Sequence, residues 1–70
     1  MADVPAHITG TVWKIEVKVG QAVKAGDTLV ILESMKMEMP VEAQDAGTVK
    51  EIRCKEAQAV NEGDILVVLA

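Results

Sequence analysis

The chain is almost without aromatic residues: Trp13 stands alone, with no Phe and no Tyr. Its core must therefore be built from small aliphatic side chains and be thin, and there is no platform on which nucleic-acid bases could stack. A single cysteine, Cys54, excludes an internal disulfide and a thiolate zinc site, and the one histidine, His7, has no companions to hold a metal. No stretch approaches the roughly 18 apolar residues of a membrane span. The opening MADVPAHITG lacks a basic region followed by an apolar run. Neither a membrane partner nor a secretory signal is expected, and a cytoplasmic address follows by default. A net charge of -4, with seven basic residues scattered along the chain, leaves no footprint for a phosphate backbone, so nucleic acid is not an expected partner.

Length sets a further bound. A 70-residue chain forms one domain and buries only about 60% of its unfolded surface, which fits a carrier or binding module better than an enzyme with its own cleft. Val and Ile number sixteen against four Leu. Their restricted χ1 suits a pleated surface, so the fold class expected is all-β.

Self-similarity fixes the architecture. Shifting the chain by 37 positions sets ITGTVWKIEVKVGQAVKAGDTLVILE (8 to 33) against DAGTVKEIRCKEAQAVNEGDILVVLA (45 to 70), with thirteen of twenty-six pairs identical. The same offset pairs Val4 with Val41 and Ala6 with Ala43, so residues 1 to 33 map onto 38 to 70. One domain, 1 to 70, is thus read as two half-repeats joined at 34 to 37. In WKIEVKV the residues Trp13, Ile15, Val17 and Val19 alternate with charged ones, the pattern of a half-buried strand. TLVILE and ILVVLA read as buried strands, each after a Gly-Asp turn, and short strands are expected at VPA, VEA and both QAV segments. Four strands per half, related by a quasi-twofold, make a flattened eight-stranded barrel or sandwich.

The recurring Gly10, Gly26, Gly47 and Gly63 are read as turn residues, and Asp27 and Asp64 as fixing their turns through side-chain hydrogen bonds. No glycine pattern matches a phosphate loop. Cys54 pairs with Val17 and is expected to be a small buried hydrophobe. Trp13 pairs with Lys50, which places it at the edge of the core, as packing or as a contact with a partner.

Only Ser34, Met35, Lys36 and Met37 fall outside the repeat. They form a hairpin with Met35 and Lys36 at its two central positions, where positive φ is preferred and Asn or Gly is normal, so about 1 to 3 kcal/mol of strain is expected there. Three readings are open. The lysine is an ordinary solvated charge and the methionines core filler; or Met35, Met37 and Met39 offer soft ligands to copper(I); or Lys36 is displayed for covalent modification. In the third case its amine must first lose a proton, and the neighbouring Glu33 and Glu38 favour the charged form, so the modifying enzyme supplies the base.

The stretch VILESMKMEMPV at the seam of such a repeat resembles the biotinyl domains, whose signature is A-M-K-M or S-M-K-M after an apolar strand, and the likeness covers essentially the whole chain. The resemblance implies biotin in amide linkage on Lys36, with Met35, Met37, Glu33, Ser34 and Glu38 recognised by a biotin protein ligase. It implies a monomeric, non-catalytic carrier: a biotin carboxylase uses ATP and bicarbonate to carboxylate the ureido nitrogen, and a carboxyltransferase passes the group to an acyl-CoA. The tether would replace a bimolecular encounter by a high effective concentration. The related lipoyl domains have the same fold but present Asp-Lys-Ala, so lipoate is the alternative cofactor. The family's A-P-M-P-G is here AHITG, Ala57 replaces a common glycine, and the protruding thumb of some carriers is absent.

Overall fold

The computed structural model describes residues 2 to 70. Eight strands follow one another: β1 (Ala2–Pro5), β2 (Gly10–Ile15), β3 (Ala22–Val23), β4 (Thr28–Ser34), β5 (Met37–Glu42), β6 (Gly47–Ile52), β7 (Ala59–Val60) and β8 (Ile65–Leu69). They form two four-stranded sheets, ordered β1-β8-β6-β3 and β5-β4-β2-β7. Each sheet takes two strands from the first half of the chain and two from the second, so the halves interlock. The chain's two prolines, Pro5 and Pro40, both lie on edge strands, where a missing N–H costs no ladder bond.

The quasi-twofold runs through the core. Buried residues come in pairs 37 apart: Ala6 and Ala43, Val12 and Val49, Val17 and Cys54, Val23 and Val60, Leu29 and Leu66, Val30 and Val67, Leu32 and Leu69. No polar or charged residue is buried among those described. Cys54 takes the place of a valine, as its pairing implied.

The alternation read across Trp13 to Val19 does not hold. Strand β2 ends at Ile15, and Trp13 and Val19 are 46% and 64% exposed. The cause is a bulge: Val12 pairs with Leu32 and Lys14 with Ile31, so Trp13 is an extra residue on β2. A bulge inserts one residue and resets the phase of the strand. Val12 and Ile15 point inward, and Trp13 and Lys14 lie between them on the outer face. The same interruption recurs in β6, where Val49 pairs with Leu69 and Glu51 with Val68, leaving Lys50 as the extra residue.

Gly26 and Gly63 do sit in turns, with φ of 91° and 95°. Gly10 and Gly47 do not; they open strands β2 and β6. Their lack of a side chain answers a close approach, since a Cβ would lie 2.6 Å from the Glu33 carbonyl oxygen at Gly10 and 2.9 Å from that of Ala70 at Gly47. The aspartates close their turns reciprocally. The Lys24 N–H donates to Asp27 Oδ2 at 2.8 Å while the Asp27 N–H donates to the Lys24 carbonyl at 3.0 Å, and Asn61 and Asp64 repeat both bonds. Gln21 and Gln58 make the equivalent closure with Lys18 and Lys55.

Candidate functional site

The β4–β5 hairpin carries Glu33, Ser34, Met35, Lys36, Met37 and Glu38, the residues that the resemblance assigns to attachment and its recognition. Ser34 pairs with Met37 as the last rung, leaving a two-residue loop of Met35 and Lys36. Their φ values are 51° and 64°, and positive φ at both central positions is the signature of the type I′ turn whose twist matches that of the flanking strands. Neither side chain is one that this turn favours.

Below the turn, three strands hold the hairpin in register. Glu33 pairs with Glu38 on β5 and with Thr11 on β2, and Leu32 pairs with Met39 and Val12. Gly10 lets the start of β2 press against the end of β4, because any Cβ there would also come within 3.4 Å of Ser34 Cβ. The tip is thus a rigid support. In the other half, the place corresponding to the hairpin is where β8 ends beside β1, with Ala70 and Thr48 exchanging backbone hydrogen bonds of 2.7 and 3.2 Å.

Exposure divides the methionines. Met35 is 92% and Met37 62% exposed. Met39, opposite buried Leu32, is half-buried. A copper(I) site would withdraw its thioethers from water around one ion, whereas here two of the three face solvent. Among the described residues no group of three or more His, Cys, Asp or Glu could hold a metal either.

Lys36 is exposed and has no hydrogen bond or ion pair among the described residues. Glu33 and Glu38 flank the tip on the outer face, exposed and with side chains that make no hydrogen bond or ion pair among the described residues, while Ser34 is half-buried. Among the described residues, Lys14 pairs with Glu16 at 3.4 Å and Arg53 with Glu51 at 2.9 Å, away from the tip. Cys54 lies in the core, where burial raises its thiol pKa above the ordinary value. It takes no part in the tip. Gly10, read from its recurrence at Gly47 as a turn residue, instead opens β2 and supports the hairpin by close approach to Glu33.

Such an arrangement offers a single primary amine, fixed at the apex of a stiff hairpin and open on all sides. It suits acylation by an enzyme whose site must reach around the lysine. A family model described as "Biotin-requiring enzyme" matches residues 1–69. The methylmalonyl-CoA carboxyltransferase 1.3S subunit of Propionibacterium freudenreichii subsp. shermanii is 58% identical over 36 residues, covering 51% of this chain and 29% of that one. A biotin/lipoyl attachment protein of Bacillus subtilis is 46% identical over 40 residues, 57% of this chain and 55% of the relative. The matched stretch therefore spans less than two thirds of either relative. Among solved structures, the urea carboxylase of Kluyveromyces lactis superposes with a TM-score of 0.93 at 38% identity, over 99% of this chain and 6% of that one. With the family model matching all but the last residue, and with the fold and the hairpin lysine described above, the chain belongs to the biotin/lipoyl domain family.

Proposed function

We propose that this chain is a biotin carboxyl carrier, with biotin joined by an amide to Lys36 Nζ and presented in turn to a biotin carboxylase and a carboxyltransferase. The observation that carries the reading is the turn itself: Met35 and Lys36 occupy two positive-φ positions at the only junction that the internal repeat does not explain. The residues present fit such a group. An exposed amine with no hydrogen bond or ion pair among the described residues is free to be acylated. The attachment is made by a biotin protein ligase, to which Lys36 offers the nucleophile and Met35, Met37, Glu33, Ser34 and Glu38 the surrounding surface. The nitrogen displaces the activating group from the biotin carboxyl carbon, and its proton leaves to a base of the ligase.

When bound, biotin supplies a ureido nitrogen able to carry a carboxyl group. The chain's own part is mechanical: the type I′ turn fixes the anchor, the three-strand register below keeps the tip stiff, and the tether keeps the group at high effective concentration near each partner. The chain performs no bond-making of its own. Lipoate on the same lysine is the second reading, favoured by the likeness to a protein named for both attachments. Incubating the biotinylated chain with a purified biotin carboxylase, ATP and radiolabelled bicarbonate tests the proposal. Acid-labile label on the chain, absent from Lys36→Ala, is expected. A chain that accepts lipoate from a lipoate ligase and no biotin from a biotin protein ligase would instead establish the second reading.

A further inference from the structure

The inner face of the β5-β4-β2-β7 sheet is accounted for by the core, whereas its outer face carries a pattern that folding does not require. Residues opposite one another across an antiparallel pair share a face, so the register defines rows. The row nearest the turn holds Thr11, Glu33 and Glu38; the next holds the bulged Trp13 with Lys14, then Ile31, then Pro40. Strands are about 4.8 Å apart, so three apolar residues, Ile31, Pro40 and the bulged Trp13 beside Lys14, make a band across three strands.

The internal repeat supplies the control. The positions equivalent to Trp13, Ile31 and Pro40 are Lys50, Val68 and Asp3, on the same strands of the other sheet and around the same bulge. That sheet forms with a charged residue at each end of the row. Trp13 and Pro40 are therefore not demanded by the fold, and a tryptophan 46% exposed is left facing water. The acidic row adds a second anomaly. Glu33 and Glu38 lie directly opposite each other, their side chains making no hydrogen bond or ion pair among the described residues, and like charges so placed oppose pairing.

We propose that this outer face is the surface by which a biotin protein ligase grips the chain before attachment, with an apolar socket for Trp13 and Lys or Arg side chains facing Glu33 and Glu38. The inference rests on the reading of Lys36 as the attachment site. The ligase fits better than a later partner because, before attachment, one lysine side chain is a small handle and recognition has to come from the protein surface. Partners acting afterwards can hold the attached group itself. Ile31 lies five residues from Lys36, so at the strand rise the band sits within roughly 16 Å of the amine, inside the rim of any site that the tip enters.

Trp13 is the chain's only tryptophan, so the protein labelled with 5-fluorotryptophan gives one fluorine resonance. Adding unlabelled ligase should shift that resonance saturably. In steady-state biotinylation, Trp13→Lys, which places the other half's residue in the same bulge, should raise the KM for the carrier about tenfold or more while kcat stays within about twofold. Asp3→Ala, on the other sheet, should change neither. An unchanged KM for Trp13→Lys, a resonance that the ligase does not move, or one that moves with the carrier's own concentration would overturn the proposed face. Intact mass in the same reactions keeps the two questions apart: a wild-type chain that gains no biotin removes the underlying attachment reading, and this inference with it.

Discussion

Replacing the loop residues by the pair that the turn prefers, Met35→Asn with Lys36→Gly, should make the protein more stable while abolishing its modification. Both positions are left-handed, at φ 51° and 64°. An L-residue other than Gly or Asn costs about 1 to 2 kcal/mol in that region, so the native turn holds on the order of 2 to 4 kcal/mol. Asn relieves part of its share. Gly relieves nearly all of its own but returns about 0.4 to 1 kcal/mol through the greater freedom of the unfolded chain. The net gain is about 1 to 2 kcal/mol, which for a domain of this size corresponds to roughly 4 to 16 °C in Tm. Packing does not confuse the result, because Met35 is 92% exposed and Lys36 is exposed. Thermal unfolding followed by far-ultraviolet circular dichroism would measure it, with Lys36→Ala as a control that removes the amine but keeps a side chain at positive φ. A double variant no more stable than wild type would show that the turn is unstrained, and the case that function chose these two residues would lose its physical basis.

Gly10→Ala should lower stability by about 1 to 3 kcal/mol, since its Cβ would lie 2.6 Å from the Glu33 carbonyl oxygen, and should slow biotinylation by displacing the base of the hairpin; urea titration and ligase kinetics would register the two effects. Ala57 and Gly20 share one fold position, at φ 69° and 93°, and a Cβ at Gly20 meets nothing within 4 Å. Ala57→Gly should therefore stabilise and Gly20→Ala destabilise, each by about 1 kcal/mol of backbone strain alone, as seen in paired melting curves. The raised pKa of Cys54 has a definite sign. As pH rises past the ordinary thiol range the unfolded chain loses its proton first, so native stability falls, and this component should vanish in Cys54→Val, compared by urea unfolding at neutral and alkaline pH.

How much of this was legible beforehand depended on whether a feature is local. The repeat exposed the eight-strand plan, the quasi-twofold and the seam, because identical residues 37 apart must serve identical places; that each sheet draws strands from both halves was not legible. The turn was legible because two-residue hairpins favour turns with positive φ at one or both central positions, and Met35 and Lys36 occupy those positions. The bulge at Trp13 was not, since it is defined by the register against β4 and leaves the alternation WKIEVKV intact in the sequence. Gly10 was misread for a related reason: a glycine in a turn and one under a neighbouring carbonyl look the same until the neighbour is in place. The closures by Gln21 and Gln58 escaped notice because glutamine is not among the usual turn residues, although a side chain reaching back three residues serves as well.

The central claim is that one amine among the chain's six lysines is singled out by its place at the seam. Proteolytic mapping by tandem mass spectrometry, after reaction with a biotin protein ligase, biotin and ATP, tests it most directly. All of the biotin should lie on Lys36, with Lys14, Lys18, Lys24, Lys50 and Lys55 unmodified and Lys36→Arg inert. Biotin on any of those five, or an unmodified Lys36 in the folded wild-type chain, would contradict it.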